Sequence, residues 1–347
     1  MSEAPIATRG ASAGALILVA GAVVLLTLGG TAVPAYPQVL GTATFTSTPT
    51  PTSTLTPTPT WTPSPTPLPT STPTPSLTPT RAPTPTVATP TPAPAASHLW
   101  LEFPLPAIPE GDRYPSTYFP YGSTGGGRYH LHHGVDYMNP AGTPVLAPAA
   151  GTILVAGNDR EIVYGVKPNF YGNLVIAELD QRFQGQPVYL LFGHLSEVLV
   201  RAGQHVETGE TIGRVGMTGV AIGNHLHLEV RLGANRYENT RNPVLWLRPE
   251  PGQGIIAGRV VDAQGRPLPE TTVTFFRATE PNRWWRQTLT YADREVNPDD
   301  QLGENFALGY VPAGDYLVKV KIGKKSVVKA VTVVPGEIAY VQLVVQE

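Results

Sequence analysis

Across its 347 residues the chain contains no cysteine. That absence excludes disulfides, thiolate metal sites and cysteine nucleophiles together, so any bound metal must be held by His, Asp or Glu. Charge is also scarce. Charged residues make up 14% of the chain and the formal net charge is -2, without the basic stripe of a general nucleic-acid binder, so no nucleic-acid partner is expected. Histidine is rare as well, with eight in all, yet every one except His98 falls between residues 130 and 227. Proline breaks this sparseness: its 38 copies are placed unevenly, and the unevenness divides the chain.

Residues 1–42 hold one uncharged apolar run, Ala11 to Ala35, densest from Ala15 to Leu28. The run is long enough to cross a bilayer, while Val33-Pro34-Ala35 resembles a small-residue cleavage site. A signal peptide and an uncleaved N-terminal membrane anchor are both open. In either case the bulk of the chain is expected outside the membrane, tethered if the run is kept and secreted if it is cleaved. Residues 43–97 are almost wholly Thr, Pro and Ser, with Thr-Pro recurring as in Thr56-Pro57-Thr58-Pro59. Proline removes backbone donors and fixes φ, and the segment has too little apolar surface to offset chain entropy. A disordered, polyproline-like stalk is expected, rising about 3.1 Å per residue where extended.

From residue 98 to about 250 the composition becomes globular. Gly-rich turns separate short apolar runs at Thr143–Ala147, Gly151–Ala156, Asn173–Leu179, Val188–Phe192 and His225–Arg231, which read as strands. No long segment of 3.6-residue period competes with them. Residues 253–347 form a second β unit, with strands expected at Ile255–Val261, Thr272–Phe276, Tyr316–Val320, Ser326–Val331 and Ala339–Val344. About seven strands in such a length suggest a β-sandwich. The fold class is therefore mainly β: an antiparallel sheet domain at 98–250 and a C-terminal sandwich, preceded by the apolar helix and the stalk.

Two histidine clusters carry the chemistry. His225 and His227 are two apart on a strand and so point to one face. Either both bind a metal, or one binds and its neighbour stands beside the water at the metal. His132 and Asp136 are four apart, which on a flat strand separates them by about 13 Å. That is too far for one ion with bonds of about 2 Å, so the segment must bend, and Gly134 between them makes a backbone kink cheap. His130 and His133 are rival ligands by proximity, and more simply loop histidines lining a cleft. His194, in Phe192-Gly193-His194-Leu195, ends an apolar run where it can reach the same cleft. Two imidazoles and a carboxylate from distant points suit a zinc ion with one coordination position open.

His132-His133-Gly134-Val135-Asp136 resembles the His-x-Gly-x-Asp signature of the M23 (lysostaphin/LytM-type) zinc metallopeptidases. Gly193-His194-Leu195, the paired turns around Gly203 and Gly209, and Gly216-Met217-Thr218-Gly219 leading into His225-Leu226-His227 are similar to the later steps of that family, in the same order over about residues 120–247. The resemblance implies one zinc ion held by His132, Asp136 and His227. It places His225 beside the water at the metal and makes His194 a second catalytic histidine. The implied substrate is the peptide part of peptidoglycan, stem or cross-bridge; the alternative is a non-catalytic wall-binding or regulatory module of the same fold. Ile222-Gly223-Asn224 departs from the family's usual Thr-Gly-Pro, which touches the cleft rim and no ligand. Glu229 is either a partner of His227 or half of a structural ion pair, and His205 reads as a surface residue. The C-terminal unit resembles a carboxypeptidase-regulatory-like or Ig-like sandwich, with no ligand implied; Trp284-Trp285 is either a sugar-stacking patch or a core Trp beside a half-exposed one.

Overall fold

The computed structural model describes residues 98–109, 111–292 and 296–346, all within the unit Pro85–Glu347. The expected N-terminal helix and Thr/Pro stalk lie outside the described residues. Among those described, no helix is long and apolar enough to cross a membrane.

Ten strands build the first part: β1 (Val135–Met138), β2 (Pro144–Leu146), β3 (Gly151–Asn158), β4 (Asn173–Leu179), β5 (Val188–Leu195), β6 (Glu197–Val198), β7 (His205–Val206), β8 (Thr211–Arg214), β9 (His225–Leu232) and β10 (Thr240–Arg241). The main sheet runs β1-β9-β5-β4-β3-β7, with β10 also on β9, and every pairing in it is antiparallel. A smaller sheet, β2-β8-β6, lies beside it. Strand β9 sits between β1 and β5, and all eight of its residues are buried. On a strand covered on both faces even the polar positions leave water, which is why His225, His227, Glu229 and Arg231 are buried alternately with Leu226, Leu228 and Val230.

Seven further strands follow: β11 (Gln253–Asp262), β12 (Thr272–Arg277), β13 (Trp284–Leu289), β14 (Phe306–Pro312), β15 (Gly314–Ile322), β16 (Lys325–Val333) and β17 (Ile338–Val345). They make two sheets, β14-β11-β17 and β13-β12-β15-β16, which share a core of Ile256, Val260, Val273, Phe275, Phe306, Val318 and Leu343 among others. β11 and β17 pair in parallel, the exception to an otherwise antiparallel arrangement. Strands β13 and β14 have no counterpart among the sequence expectations. The first mixes Trp, Arg and Gln with no clear alternation, and the second carries Gly309 and Pro312, which argue against a strand when read alone. Trp284 stands exposed, while Trp285 packs on the core and against Tyr316 at 5.3 Å between ring centroids.

The largest hydrophobic cluster crosses from the first part into the second, joining Leu101, Tyr121, Tyr137, Leu190 and Leu228 to Ile255, Ala257, Tyr291 and Tyr310. Tyr114 stacks on Tyr310 at 4.6 Å, and Asn242 donates to the Tyr291 hydroxyl at 3.0 Å. The segment that leads into β1 is thus laid directly on the C-terminal sheets.

Candidate functional site

Antiparallel pairing of β1 with β9 sets Asp136 opposite His227 and Met138 opposite His225. His132 precedes β1 in the incoming loop, so the bend demanded by ligand geometry is met by leaving the strand altogether. Gly134 serves that bend by its size, since its backbone is not left-handed. A Cβ there would lie 2.4 Å from the Leu228 carbonyl and 2.7 Å from His227 Cε1, so a side chain at 134 would push the loop off the imidazole it approaches.

Three ligand atoms converge as a result. His132 Nε2 lies 3.1 Å from Asp136 Oδ1 and 3.2 Å from His227 Nδ1, and His227 Nδ1 lies 2.9 Å from Asp136 Oδ1. Among the described residues these three side chains form the group able to hold a metal ion. A tetrahedral ion with bonds of about 2.0–2.1 Å separates its ligands by about 3.3 Å, so the spacing fits. His225 Nε2 stands 3.7 Å from the same Asp136 oxygen. The His194 ring is 4.7 Å from that of His225 and 5.6 Å from that of His227, between centroids.

Each imidazole has an acceptor on its outer side. His132 Nδ1 donates to the Pro120 carbonyl at 3.3 Å, His194 Nδ1 to the Thr218 carbonyl at 2.8 Å and His225 Nδ1 to the Gly223 carbonyl at 2.9 Å. His227 Nε2 donates to Glu229 Oε1 at 3.1 Å. A neutral imidazole that donates on one side has only a lone pair on the other. The pocket is therefore lined by bare nitrogens and a carboxylate, all acceptors, which calls for a cation or an added proton at its centre. The His227 ring shows the second case: burial opposes its charge, but Asp136 and Glu229 on its two nitrogens raise its pKa to about 9. Metal and proton compete for Nδ1. Burial likewise disfavours the Asp136 charge, yet His132 and His227 hold its carboxyl well below the usual range. Burial and the neighbouring His227 and His225 push His194 down to about 3, so it is neutral.

Behind His227 lies a fully buried support that the sequence reading only half anticipated. Glu229 does both things proposed for it: one oxygen accepts from His227 and from the Tyr171 hydroxyl, the other from Arg231 Nε at 2.8 Å and Nη2 at 2.7 Å. Arg231 also donates to the Tyr164 carbonyl at 3.0 Å. Residues 225, 227, 229 and 231 alternate on one face of a strand, so the role of Arg231 was visible in the spacing. Tyr171, brought from the loop before β4, carried no such signal. Neither did Phe119, which stacks on His132 at 4.4 Å.

The remaining histidines separate from the site. His133 turns away, bonding Thr240 Oγ1 at 2.7 Å and lying on Tyr237 at 3.8 Å between centroids. His130 is exposed, edge-on to Phe170. His205 is exposed and pairs with Asp180 at 2.9 Å. Strain marks one catalytic candidate: His194 has a φ of 63°, a left-handed conformation costing a non-glycine residue about 1 kcal/mol or more. Its amide bonds the Tyr171 carbonyl and its ring bonds Thr218, which hold it there.

A pocket of acceptors with two imidazoles and one carboxylate, flanked by His225 and His194, has the donor set that a mononuclear metal site requires. Residues 130–241 match the model of peptidase family M23. Over 123 residues the chain is 37% identical to the DD-carboxypeptidase/endopeptidase Mpg of Neisseria meningitidis, covering 35% of this chain and 24% of that protein. Over 99 residues it is 33% identical to the peptidoglycan DD-endopeptidase ShyA of Vibrio cholerae, covering 28% and 20%. The chain thus spans about a fifth to a quarter of the length of these relatives. Among solved structures it is similar to the catalytic domain of lysostaphin from Staphylococcus simulans, at 28% identity and a TM-score of 0.30, covering 38% of this chain and 86% of that one.

Proposed function

We propose that the chain is a zinc-dependent endopeptidase that hydrolyses peptide bonds in the stem peptides or cross-bridges of peptidoglycan. The observation that carries this reading is the inward-facing, all-acceptor set of His132, Asp136 and His227 with His225 and His194 beside it. The match to peptidase family M23 and the relatives' activity on peptidoglycan supply the substrate class. His132 Nε2, Asp136 Oδ1 and His227 Nδ1 would hold the ion. Zinc, when bound, supplies a Lewis acid and lowers the pKa of water to about 7.

The protein's own groups do the rest. The Gly223 carbonyl fixes the tautomer of His225 so that Nε2 can accept the proton of the attacking water and return it to the leaving amine. His194, its tautomer fixed the same way by Thr218, keeps a bare Nε2 that can accept a hydrogen bond from the attacking water. Glu229 keeps the His227 proton on Nε2 and so leaves Nδ1 for the metal. An apolar N-terminal run and a Thr/Pro stalk fit an exported protein whose catalytic part works at the cell wall, tethered or released.

The test is mass spectrometry of peptides freed from purified cell walls by the full chain, with and without a chelator. Release that stops on chelation and returns with zinc is expected; release indifferent to chelation, or none from the zinc-loaded chain, overturns the reading. Asp136→Ala and His227→Ala should lose zinc and at least about a thousandfold in activity. His225→Ala should retain zinc and lose about a hundredfold or more, as removal of a general base does.

A further inference from the structure

One metal-site histidine stands on a glycine-rich segment that is held in part from elsewhere in the molecule. His132 follows the run Gly122-Ser123-Thr124-Gly125-Gly126-Gly127, in which all four glycines have left-handed backbones, φ 79°, 61°, 73° and 79°. Glycine loses more freedom on ordering than any other residue. Gly122 lies against Tyr291 and Gly125 against Tyr129, but a Cβ at Gly126 or Gly127 would meet nothing within 4 Å, so packing does not fix that end of the loop. Yet the loop is tied to His132 on both sides of its backbone: His132 N donates to the Ser123 carbonyl at 2.9 Å and Gly122 N to the His132 carbonyl at 2.7 Å.

The fixing comes from the other half of the molecule. Glu270, in the turn before β12, aims one carboxylate oxygen at this loop. Its Oε1 accepts from Ser123 Oγ at 3.1 Å, Thr124 N at 2.7 Å, Thr124 Oγ1 at 2.9 Å and Gly126 N at 3.3 Å. Ser123 and Thr124 pass the order on, their hydroxyls accepting from Gly125 N at 3.0 Å and Gly127 N at 2.8 Å. Glu270 reaches this position at a φ of 39°, where a side chain is strained by about 1 kcal/mol or more. Its turn is braced by Thr290, whose hydroxyl accepts from Thr271 N at 2.8 Å and donates to the Leu268 carbonyl at 2.6 Å. Such strain persists only where the surroundings over-determine it.

We infer that Glu270 is a positioning residue for the metal site, acting from the C-terminal sheets through the Ser123–Gly127 loop to hold His132 where its Nε2 meets Asp136 and His227. The C-terminal unit is on this account a working part of the catalytic site as well as any binding module it provides. The inference rests on the reading of His132 as a metal ligand. Because all four donors converge on a single oxygen, an amide carbonyl at the same place serves nearly as well as the carboxylate, while a methyl group does not.

Two measurements on the full chain test this. In the zinc-free protein, amide hydrogen exchange at His132 and Gly122 should quicken about tenfold or more in Glu270→Ala, with the β9 amides unchanged, and return to within about threefold of wild type in Glu270→Gln. Zinc affinity, measured by competition with a chromogenic chelator, should fall about tenfold in Glu270→Ala and recover in Glu270→Gln, the lower end of what outlying partners of metal ligands contribute. Wild-type exchange at His132 in Glu270→Ala overturns the proposal, as does equal loss in the Ala and Gln variants. Should Glu270→Ala fail to fold, the double variant Ser123→Ala/Thr124→Val removes two of the donors without touching the C-terminal sheets; it should quicken the same amides, and wild-type exchange in it likewise overturns the proposal. A wild-type chain without zinc affinity would sink the metal reading while the exchange measurement still decides on Glu270.

Discussion

Two glutamates are buried almost completely, Glu229 at 0% and Glu304 at 2% exposure, and their surroundings drive them in opposite directions. Glu229 lies behind the metal-site strand. Burial alone would raise its pKa, but Arg231, His227 and Tyr171 outweigh that and bring it down to about 2. Glu304 lies beneath the segment leading to His132, between the two halves of the molecule. It has the Tyr291 hydroxyl at 2.7 Å and the Asp299 amide at 2.9 Å, with no cation on it among the described residues. There burial wins and the pKa rises to about 7, with the Asp299 charge adding to the effect. Burial thus fixes how much a partner matters, and the partner fixes which protonation state survives.

Converting one environment into the other gives the largest expected effect. Arg231→Met leaves Glu229 buried with only the His227 imidazole to balance it, which should destabilise the protein by about 3–5 kcal/mol at neutral pH. Denaturant unfolding measures it. Adding Glu229→Gln to Arg231→Met should recover much of the loss, because the neutral amide needs no counter-charge. If Arg231→Met unfolds within about 1 kcal/mol of wild type, the pair does not govern the ionisation of Glu229 and the contrast with Glu304 fails.

These two regions also differ in how much of them the sequence disclosed. The metal-site strand was legible because a strand converts spacing into geometry: His225, His227, Glu229 and Arg231 alternate, so they had to share a face. The spacing of His132 and Asp136 demanded a bend at or near Gly134 but did not disclose the second use of that glycine, which makes room for the His227 ring without an unusual φ. Strands with regular apolar alternation were found to within a few residues, while β13 and β14 were not, since their burial comes from tertiary packing that leaves no period. Tyr171, Phe119 and Glu270 reach the site from loops and from a different sheet, and no local pattern encodes such a meeting. The expectations for residues 1–97 concern segments outside the described residues.

The next effect is the pH dependence carried by the interface glutamate. The ordinary pKa of 4.5 rises to about 7 on folding, so between those values the folded protein binds a proton that the unfolded chain does not. Stability from this group is fully present below pH 4.5 and is lost as pH rises through 7, by roughly 3 kcal/mol in all at about 1.4 kcal/mol per pKa unit. Glu229 behaves in the reverse sense, its contribution being present above the ordinary carboxyl range and lost as pH falls toward 2. Glu304→Gln should therefore be the more stable protein at pH 8 and similar to wild type at pH 4.5. Denaturant unfolding of both proteins across this range measures the difference, which removes the contributions of the histidines common to both. Parallel curves would show that Glu304 titrates normally.

The smallest effect comes from deleting one hydroxyl in each network. Tyr291 donates to Glu304 and accepts from Asn242 Nδ2, so Tyr291→Phe strands a buried amide donor and removes one of the few bonds that favour the Glu304 charge. A cost of about 1–2 kcal/mol follows from the lost bonds, and the pH-dependent loss should extend to higher pH because nothing replaces the missing donor. Tyr171→Phe removes a donor from Glu229 in the same way, but Arg231 and His227 remain on that carboxylate. Its cost should be of similar size with no new pH dependence between 5 and 8, since the arginine keeps the group ionised throughout. Urea unfolding of both variants at pH 5 and pH 8 distinguishes the two networks: a pH-dependent change in Tyr171→Phe, or its absence in Tyr291→Phe, would show that the hydroxyls rather than the cation set the charge of these glutamates.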